Sequence, residues 1–157
     1  MATSSVKIAH WIFNANLFLN WSKGESWDPI PAEKQNSRAV IKAAGDAYLD
    51  NWGNVSLPVP HGTPCARLEG GLYTGSKNLT ANTCDMGAFP TPLTVGNRRY
   101  VIDEEFGAVS ILNDFPFLEA SFPVDKVTPS SNLFRVQGGF IRYIHEVTVC
   151  ATKNCSR

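Results

Sequence analysis

Residues 133–149 read LFRVQGGFIRYIHEVTV, two alternating runs of apolar and polar residues separated by Gly138-Gly139. Two glycines between strand-like runs favour a two-residue hairpin turn, because both central positions of that turn need positive φ. Counting outward from the turn pairs Phe134 with Tyr143 and Asn132 with His145, and paired residues share a face of the sheet. One face of the predicted hairpin is therefore apolar and aromatic. Such a face suits the wall of a small-molecule pocket or an ordinary hydrophobic core.

The rest of the chain predicts two helices followed by more strands. Apolar residues spaced three and four apart predict a helix over Lys7–Trp21 and a second helix from Glu33 or Ser37 to Trp52. Beyond these helices the period changes to two, which predicts strands at about 66–74, 98–104 and 108–112, with a bulge or tight bend at Gly70-Gly71. Helices first and a strongly curved, mostly antiparallel sheet afterwards indicate a single α+β domain over residues 1–157.

Composition excludes several function classes. The chain has 157 residues, with 14 acidic and 14 basic residues that are scattered along it. Nucleic-acid binding needs clustered Lys and Arg, so we expect no nucleic-acid partner. No apolar run is long enough to span a bilayer, so we expect no membrane span. The sequence lacks a glycine-rich phosphate loop, a nucleophile elbow and the cysteine and histidine spacings of zinc sites, and we therefore expect no cofactor and no metal.

The cysteines and the glycosylation sequons favour an oxidising compartment. Four cysteines allow three pairings, of which we favour Cys65–Cys84 and Cys150–Cys155. The alternative is four free thiols in a reducing compartment. Asn-x-Ser/Thr sequons begin at residues 20, 54, 78 and 154, which favours the secretory pathway, although the N-terminal segment does not have the pattern of a signal peptide.

Four residues are candidates for acid–base chemistry. His145 is the strongest, because an imidazole titrates near neutrality; the alternative is a core histidine that is hydrogen-bonded to a backbone carbonyl or to Tyr48. Tyr143 and Tyr100 could donate hydrogen bonds to a substrate carbonyl or simply pack. Glu104 is predicted on the same face as Tyr100, as a desolvated carboxylic acid inside a pocket or as part of a solvated turn.

Two further sets complete the predicted site. The turn count places Arg135 opposite Arg142, and two like charges in such a pair need carboxylate partners. The predicted ion-pair network consists of Arg67, Glu69, Asp103, Arg135 and Arg142. Apolar and aromatic side chains are expected to contact a substrate or to form the core. They are Trp11, Phe18, Tyr48, Trp52, Phe134 and Ile141.

The segments HGTPCARLEGGLYTG (61–75) and NRRYVIDEEFGAV (97–109), with the closing hairpin, resemble an uncharacterised domain family of fungal, often secreted, proteins. The order of helices, curved sheet and hairpin resembles the nuclear-transport-factor-two-like cone fold, which includes scytalone dehydratase, ketosteroid isomerase and polyketide cyclases. The acid–base residues of those enzymes have no motif match in this chain, so none is carried over.

This resemblance implies a cone-shaped pocket and a cofactor-independent enzyme of fungal natural-product biosynthesis. Its substrate would be a hydrophobic polyketide or terpenoid intermediate, and its reaction a cyclisation (including a Diels–Alder-type cycloaddition), an isomerisation or a dehydration. The alternative is a non-catalytic secreted module that binds a hydrophobic small molecule or a protein partner. A homodimer through the exposed sheet face is a further expectation.

Overall fold

The computed structural model describes residues 14–87, 92–116 and 127–148. Helices packed on one six-stranded sheet confirm the predicted α+β class. The strand order is β2-β1-β6-β5-β4-β3, and every neighbouring pair is antiparallel except β1 and β6, which are parallel. The elements are α1 Ala15–Ser22, α2 Arg38–Asn51, β1 His61–Glu69, β2 Leu72–Tyr73, β3 Gly96–Asp103, β4 Ala108–Pro116, β5 Val127–Gln137 and β6 Phe140–Thr148.

Helix α2 begins after Ser37, the second of the two predicted starts. The Ser37 side chain accepts a hydrogen bond from the Val40 amide at 3.4 Å, which satisfies one of the free N–H groups of the first turn. Gly45 faces the sheet, and a Cβ atom there would lie 2.7 Å from Ile111 Cδ1 and 3.2 Å from Val109 Cγ1. The absence of a side chain at this position therefore lets α2 lie close to β4.

Helix α1 covers part of the predicted first helix. It begins after Asn14, whose side chain accepts a hydrogen bond from the Leu17 amide at 3.0 Å. The N-terminal part of the prediction, residues 7–13, lies outside the described residues. Neither helix in the described ranges is long and apolar enough to cross a membrane.

Both predicted glycine turns are confirmed. Gly138 and Gly139 have φ of 63° and 80°, and they join β5 to β6. Gly70 and Gly71 have φ of 58° and 114°, and they form the tight turn between β1 and β2. These angles favour glycine because a Cβ atom is strained in this region of backbone space.

The predicted hairpin register is correct for the two pairs next to the Gly138-Gly139 turn and wrong for the pairs beyond them. Val136 pairs with Ile141, but the next pair is Arg135 with Tyr143, so that Arg142 is the additional residue of a β-bulge. One additional residue reverses the face of every side chain beyond it.

The bulge determines which side chains share a face. Phe134 pairs with Ile144, whereas His145 pairs with Leu133. Phe134 contacts Tyr48 of α2, with ring centroids 5.4 Å apart. We call this side of the sheet the α2 face and the opposite side, which bears His145, the α1 face. The predicted grouping of Phe134 with Tyr143 and His145 is thus corrected.

Each face has its own packing. The hydrophobic core lies between α2 and the sheet and includes buried residues of α2, β4, β5 and β6. Helix α1 lies on the α1 face above β1 and β2, where Trp21 stacks on Tyr73 with centroids 4.8 Å apart. The predicted Cys65–Cys84 disulfide is confirmed. The predicted Cys150–Cys155 pair lies outside the described residues.

Candidate functional site

A buried pair of ionisable side chains lies on the α1 face. His145 Nε2 is 2.5 Å from Glu25 Oε2. The Glu25 side chain is 1% exposed, and His145 is 8% exposed. Trp27 Nε1, which can only donate, also donates to Glu25 Oε2 at 2.9 Å. We assign the ring proton to Nε2, with Glu25 Oε2 as its acceptor, because a carboxylate oxygen only accepts hydrogen bonds.

Aromatic rings enclose this pair. The rings of Phe18 and Trp27 both approach the His145 ring edge to face, each with its centroid 5.3 Å from the imidazole centroid. Trp27 also covers Tyr143, at 5.8 Å between centroids. The apolar walls lower the local dielectric, which strengthens the interaction between Glu25 and the imidazole.

Two phenols lie next to the pair. Tyr73 of β2 interacts with Glu25, and burial raises the pKa of Tyr73, to which the neighbouring Glu25 charge and Tyr143 add. Tyr73 therefore remains a neutral hydrogen-bond donor. The Tyr143 hydroxyl accepts a hydrogen bond from the Ser26 amide at 3.4 Å.

A surface cleft of about 350 Å³ adjoins these groups. Its walls include Ser26, Thr63, Gln137, Arg142 and Tyr143. Tyr143 lines the cleft and also contacts Trp27, so this side chain connects the cleft to the aromatic enclosure of the histidine. Tyr143 and His145 are two positions apart on β6, so their side chains project from the same face and their backbones are about 7 Å apart.

This arrangement is suited to proton transfer. A carboxylate that holds one nitrogen of an imidazole sets its tautomer and orientation and leaves the other nitrogen to exchange a proton. His145 and Tyr143 were predicted from the sequence. Glu25, Trp27 and Tyr73 were not, because they come from segments far from His145 in the sequence and belong to no recognisable motif.

Tyr100 and Glu104, the other two predicted acid–base residues, are not near His145. The Tyr100 hydroxyl donates to Asp46 Oδ1 of α2 at 2.8 Å, on the α2 face. Glu104 is exposed and its Oε1 accepts from the Arg38 amide at 2.7 Å, at the beginning of α2. The prediction of one four-residue acid–base set is therefore corrected: two of its members are bonded to α2.

Asp46 is the centre of a separate ion-pair cluster. Burial alone would raise the pKa of Asp46, but hydrogen bonds from Lys42, Tyr100 and Arg98 outweigh burial and lower the pKa. Arg98 also donates to Asp50 at 2.7 Å. These contacts hold β3 against α2, and we assign them a structural role.

Most of the predicted substrate contacts lie in the core. Phe18 contacts His145 on the α1 face. Trp11 lies outside the described residues. The remaining members are buried on the α2 side, where the Tyr48 ring contacts both Phe134 and Trp52. These members are Tyr48, Trp52, Phe134 and Ile141. Packed side chains thus fill the space where α2 crosses β4 and β5, and the imidazole lies on the other side of the sheet.

The predicted ion-pair network forms only in part. Arg67 and Glu69 form an ion pair at 2.8 Å. Glu69 lies opposite the buried Glu146 in the pairing of β1 with β6. The charges of these three side chains change the pKa of Tyr48: the two glutamates raise it, and Arg67 lowers it. The largest cause is burial, which raises the pKa of Tyr48, and the second largest is the charge of Glu69. This polar cluster lies on the α2 face, close to Tyr48.

Arg135 and Arg142 bond to backbone carbonyls in the described part of the chain, and not to carboxylates. The Arg135 guanidinium donates to the carbonyl of Phe106 and, at 2.8 Å, to that of Asp28. Arg142 donates to the Thr63 carbonyl at 3.0 Å. The bulge removes the predicted pairing of the two arginines, so the repulsion that was expected to recruit carboxylates does not arise. The Asp103 side chain instead accepts from the amide of Phe106, in the β3–β4 turn.

The profile of a domain of unknown function, DUF8021, matches residues 34–148, which is most of the chain. The chain belongs to the DUF8021 family. The matched part of this DUF8021 protein contains Arg142, Tyr143 and His145, whereas Glu25 and Trp27 precede it. Assignment to an uncharacterised family agrees with the resemblance found in the sequence.

Among solved structures, the DUF8021 chain is similar to a protein of unknown function with a cystatin-like fold from Methylobium petroleophilum. The TM-score is 0.54 and the sequence identity 16%, and the alignment covers 75% of this chain and 81% of that chain. A likeness at this identity shows the fold alone. No curated protein matches the chain.

Proposed function

We propose that this DUF8021 protein is a cofactor-independent enzyme that transfers a proton on a hydrophobic small molecule. His145 would be the acid–base residue, and Glu25 the positioning residue that orients it. The observation that carries this proposal is the 2.5 Å contact between His145 Nε2 and Glu25 Oε2 within an aromatic enclosure.

In this proposal the two ring nitrogens of His145 have different roles. Nε2 bonds to Glu25, so Nδ1 is the atom that would take a proton from a carbon next to a substrate carbonyl. The electron pair of the broken C–H bond moves into the carbonyl, and the Tyr143 hydroxyl would donate to the resulting oxyanion. Return of the proton from Nδ1 to another carbon completes an isomerisation, and loss of a β-hydroxyl group as water completes a dehydration.

The proposed substrates are polyketide or terpenoid intermediates of fungal natural-product biosynthesis, as the family resemblance implies. Phe18 and Trp27 would pack against the apolar part of such a molecule. A histidine–carboxylate pair favours isomerisation or dehydration over a Diels–Alder-type cyclisation, because a cycloaddition transfers no proton. We also propose that the protein acts in the secretory pathway, since Asn20, Asn54 and Asn78 are exposed.

The experiment is a conversion and deuterium-exchange assay with a panel of polyketide and terpenoid ketones and β-hydroxy ketones in heavy water. His145→Gln keeps an N–H group that can bond to Glu25 but cannot act as a base, and we expect it to lower the rate by about 10² or more. Tyr100→Phe is the matched control and should retain the wild-type rate. An unchanged rate in His145→Gln would remove proton transfer by this residue from the mechanism.

The second candidate function is a non-catalytic module that binds a hydrophobic small molecule or a protein partner. It is favoured by the near-complete burial of the Glu25 side chain, which bonds to both Trp27 and His145 and thereby fastens residues 25–27 to the sheet. In that case ligands from the panel would bind without conversion, and His145→Gln would leave their affinity unchanged.

The proposed homodimer would use the part of the α1 face that α1 leaves open. Val101 on the edge strand β3 is 68% exposed, and Leu112 on β4 is 41% exposed on the same face. A second copy packed there would bury both side chains. Sedimentation velocity should then show a dimer that Val101→Lys dissociates, whereas a monomeric wild type would reject the proposal.

A further inference from the structure

Three neighbours contact the guanidinium of the bulge residue Arg142. Its Nη1 donates to the Thr63 carbonyl at 3.0 Å. Gly62 lies directly beneath the guanidinium, where a Cβ atom would be 2.5 Å from Nη1 and 2.9 Å from Cζ. The ring of Phe140 lies 6.0 Å from Cζ. A glycine, a carbonyl and a bulge therefore place this cation, and bulges commonly redirect side chains next to binding sites.

The charge of Arg142 is not neutralised by the described part of the chain. Ion pairs there involve Lys42, Arg67, Arg98 and His145. Arg142 has five N–H groups and lines the 350 Å³ cleft together with Tyr143. The guanidinium of Arg142 therefore suits an anionic group in this cleft, and the single Tyr143 hydroxyl proton remains for the oxyanion of the proposed reaction.

We propose that this cleft binds the carboxylate of the small molecule on which His145 acts. This inference rests on the proposed function and adds a substrate class, that of hydrophobic carboxylic acids. The planar guanidinium matches a carboxylate through two parallel hydrogen bonds, and one cation balances its single negative charge. Arg142 directly precedes Tyr143 and both line the cleft, so the carboxylate would lie on the cleft side of the reacting carbon.

The test measures binding of 4-phenylbutyrate and of its neutral amide to the full chain by calorimetry. We expect the carboxylate to bind at least about tenfold more tightly than the amide, since hydrogen bonds between charged groups are the stronger kind. Arg142→Gln should reduce carboxylate affinity to that of the amide. Arg99→Gln removes an exposed cation on β3 and is the matched control, which should bind as the wild type does.

Gly62→Ala provides a second variant that keeps the charge of Arg142 but displaces its guanidinium, and it should also weaken the carboxylate. Circular dichroism verifies that each variant is folded, and Arg142→Lys replaces Gly62→Ala if the latter is not. Equal binding of acid and amide, equal effects of Arg142→Gln and Arg99→Gln, or no binding of either probe at millimolar concentration would overturn the assignment.

His145→Gln separates this inference from the proposed function. The variant should bind 4-phenylbutyrate as the wild type does, because His145 is not among the carboxylate donors. Carboxylate binding that depends on Arg142, without conversion of any acid in the panel, would reject the enzyme and leave the anion cleft in place. Conversion that is lost in His145→Gln but retained in Arg142→Gln would reject the cleft and leave the enzyme.

Discussion

Replacing Glu25 with alanine should destabilise the fold by a specific and measurable amount. In the wild type, one carboxylate oxygen accepts hydrogen bonds from Trp27 Nε1 at 2.9 Å and from His145 Nε2 at 2.5 Å. The side chain is 1% exposed, so water does not replace the lost acceptor without rearrangement. Glu25→Ala leaves the N–H groups of the buried His145 and of the partly buried Trp27 without this acceptor.

The magnitude follows from these two groups. An unsatisfied buried donor costs about 1–3 kcal/mol, so the free energy of unfolding should fall by about 3 kcal/mol. Glu25→Gln keeps an acceptor oxygen and should cost about 1 kcal/mol.

Urea denaturation followed by tryptophan fluorescence measures these changes. Glu33→Ala removes an exposed carboxylate eight residues further along the chain and should stay within about 0.5 kcal/mol of the wild type. A loss below about 1 kcal/mol in Glu25→Ala, or a loss equal to that of Glu33→Ala, would refute the view that this carboxylate is a buried acceptor.

Three further predictions concern pH, the disulfide and glycosylation. Burial lowers the pKa of His61 from its ordinary 6.5, so the unfolded chain binds a proton at this residue that the folded chain does not. The free energy of unfolding of the wild type should therefore fall as the pH drops below about 6.5, and His61→Gln should reduce that fall in the same denaturation curves. Replacing Cys65 and Cys84 together with serine should cost about 3 kcal/mol in the same measurement, and an unchanged midpoint would contradict the chain-entropy estimate. Asn54 and Asn78 lie in exposed turns, so expression in a secreting eukaryotic host should add endoglycosidase-sensitive mass that glutamine at each position removes; a glycan-free product would contradict the proposed secretory route.

The elements that depend on local signals could be predicted from the sequence. The Gly138-Gly139 turn requires positive φ at two adjacent residues, and Ser37 can cap α2 with its own side chain. His145 was selected as a candidate because an imidazole titrates near neutrality and because it was predicted on the aromatic face of the hairpin. Its partner Glu25 could not be found, since the contact joins residues 120 positions apart and a single glutamate carries no pattern of its own.

The register of the closing hairpin could not be predicted beyond its second pair. Strict alternation along β6 places Tyr143 on the face of Ile141, whereas the bulge places Ile144 there. The sequence contains a spacing that fits the bulge, since Ile141 and Ile144 are three residues apart. The structure buries both on one face, and two residues so spaced share a face only if one residue between them is additional.

Packing explains why the chain adopts the bulge. Without it, Tyr143 and His145 would project towards α2 in place of Ile144, into a core where a single Cβ atom on Gly45 would already approach Ile111 Cδ1 to 2.7 Å. A phenol and an imidazole need more volume and also hydrogen-bond partners, so the alternating register would overpack the core and bury unsatisfied polar groups. The additional residue avoids both costs, and it simultaneously turns His145 towards Glu25 and leaves Arg142 at the cleft. The two proposed ligand contacts are therefore consequences of one backbone irregularity, and both should be lost together in a variant that removes the bulge.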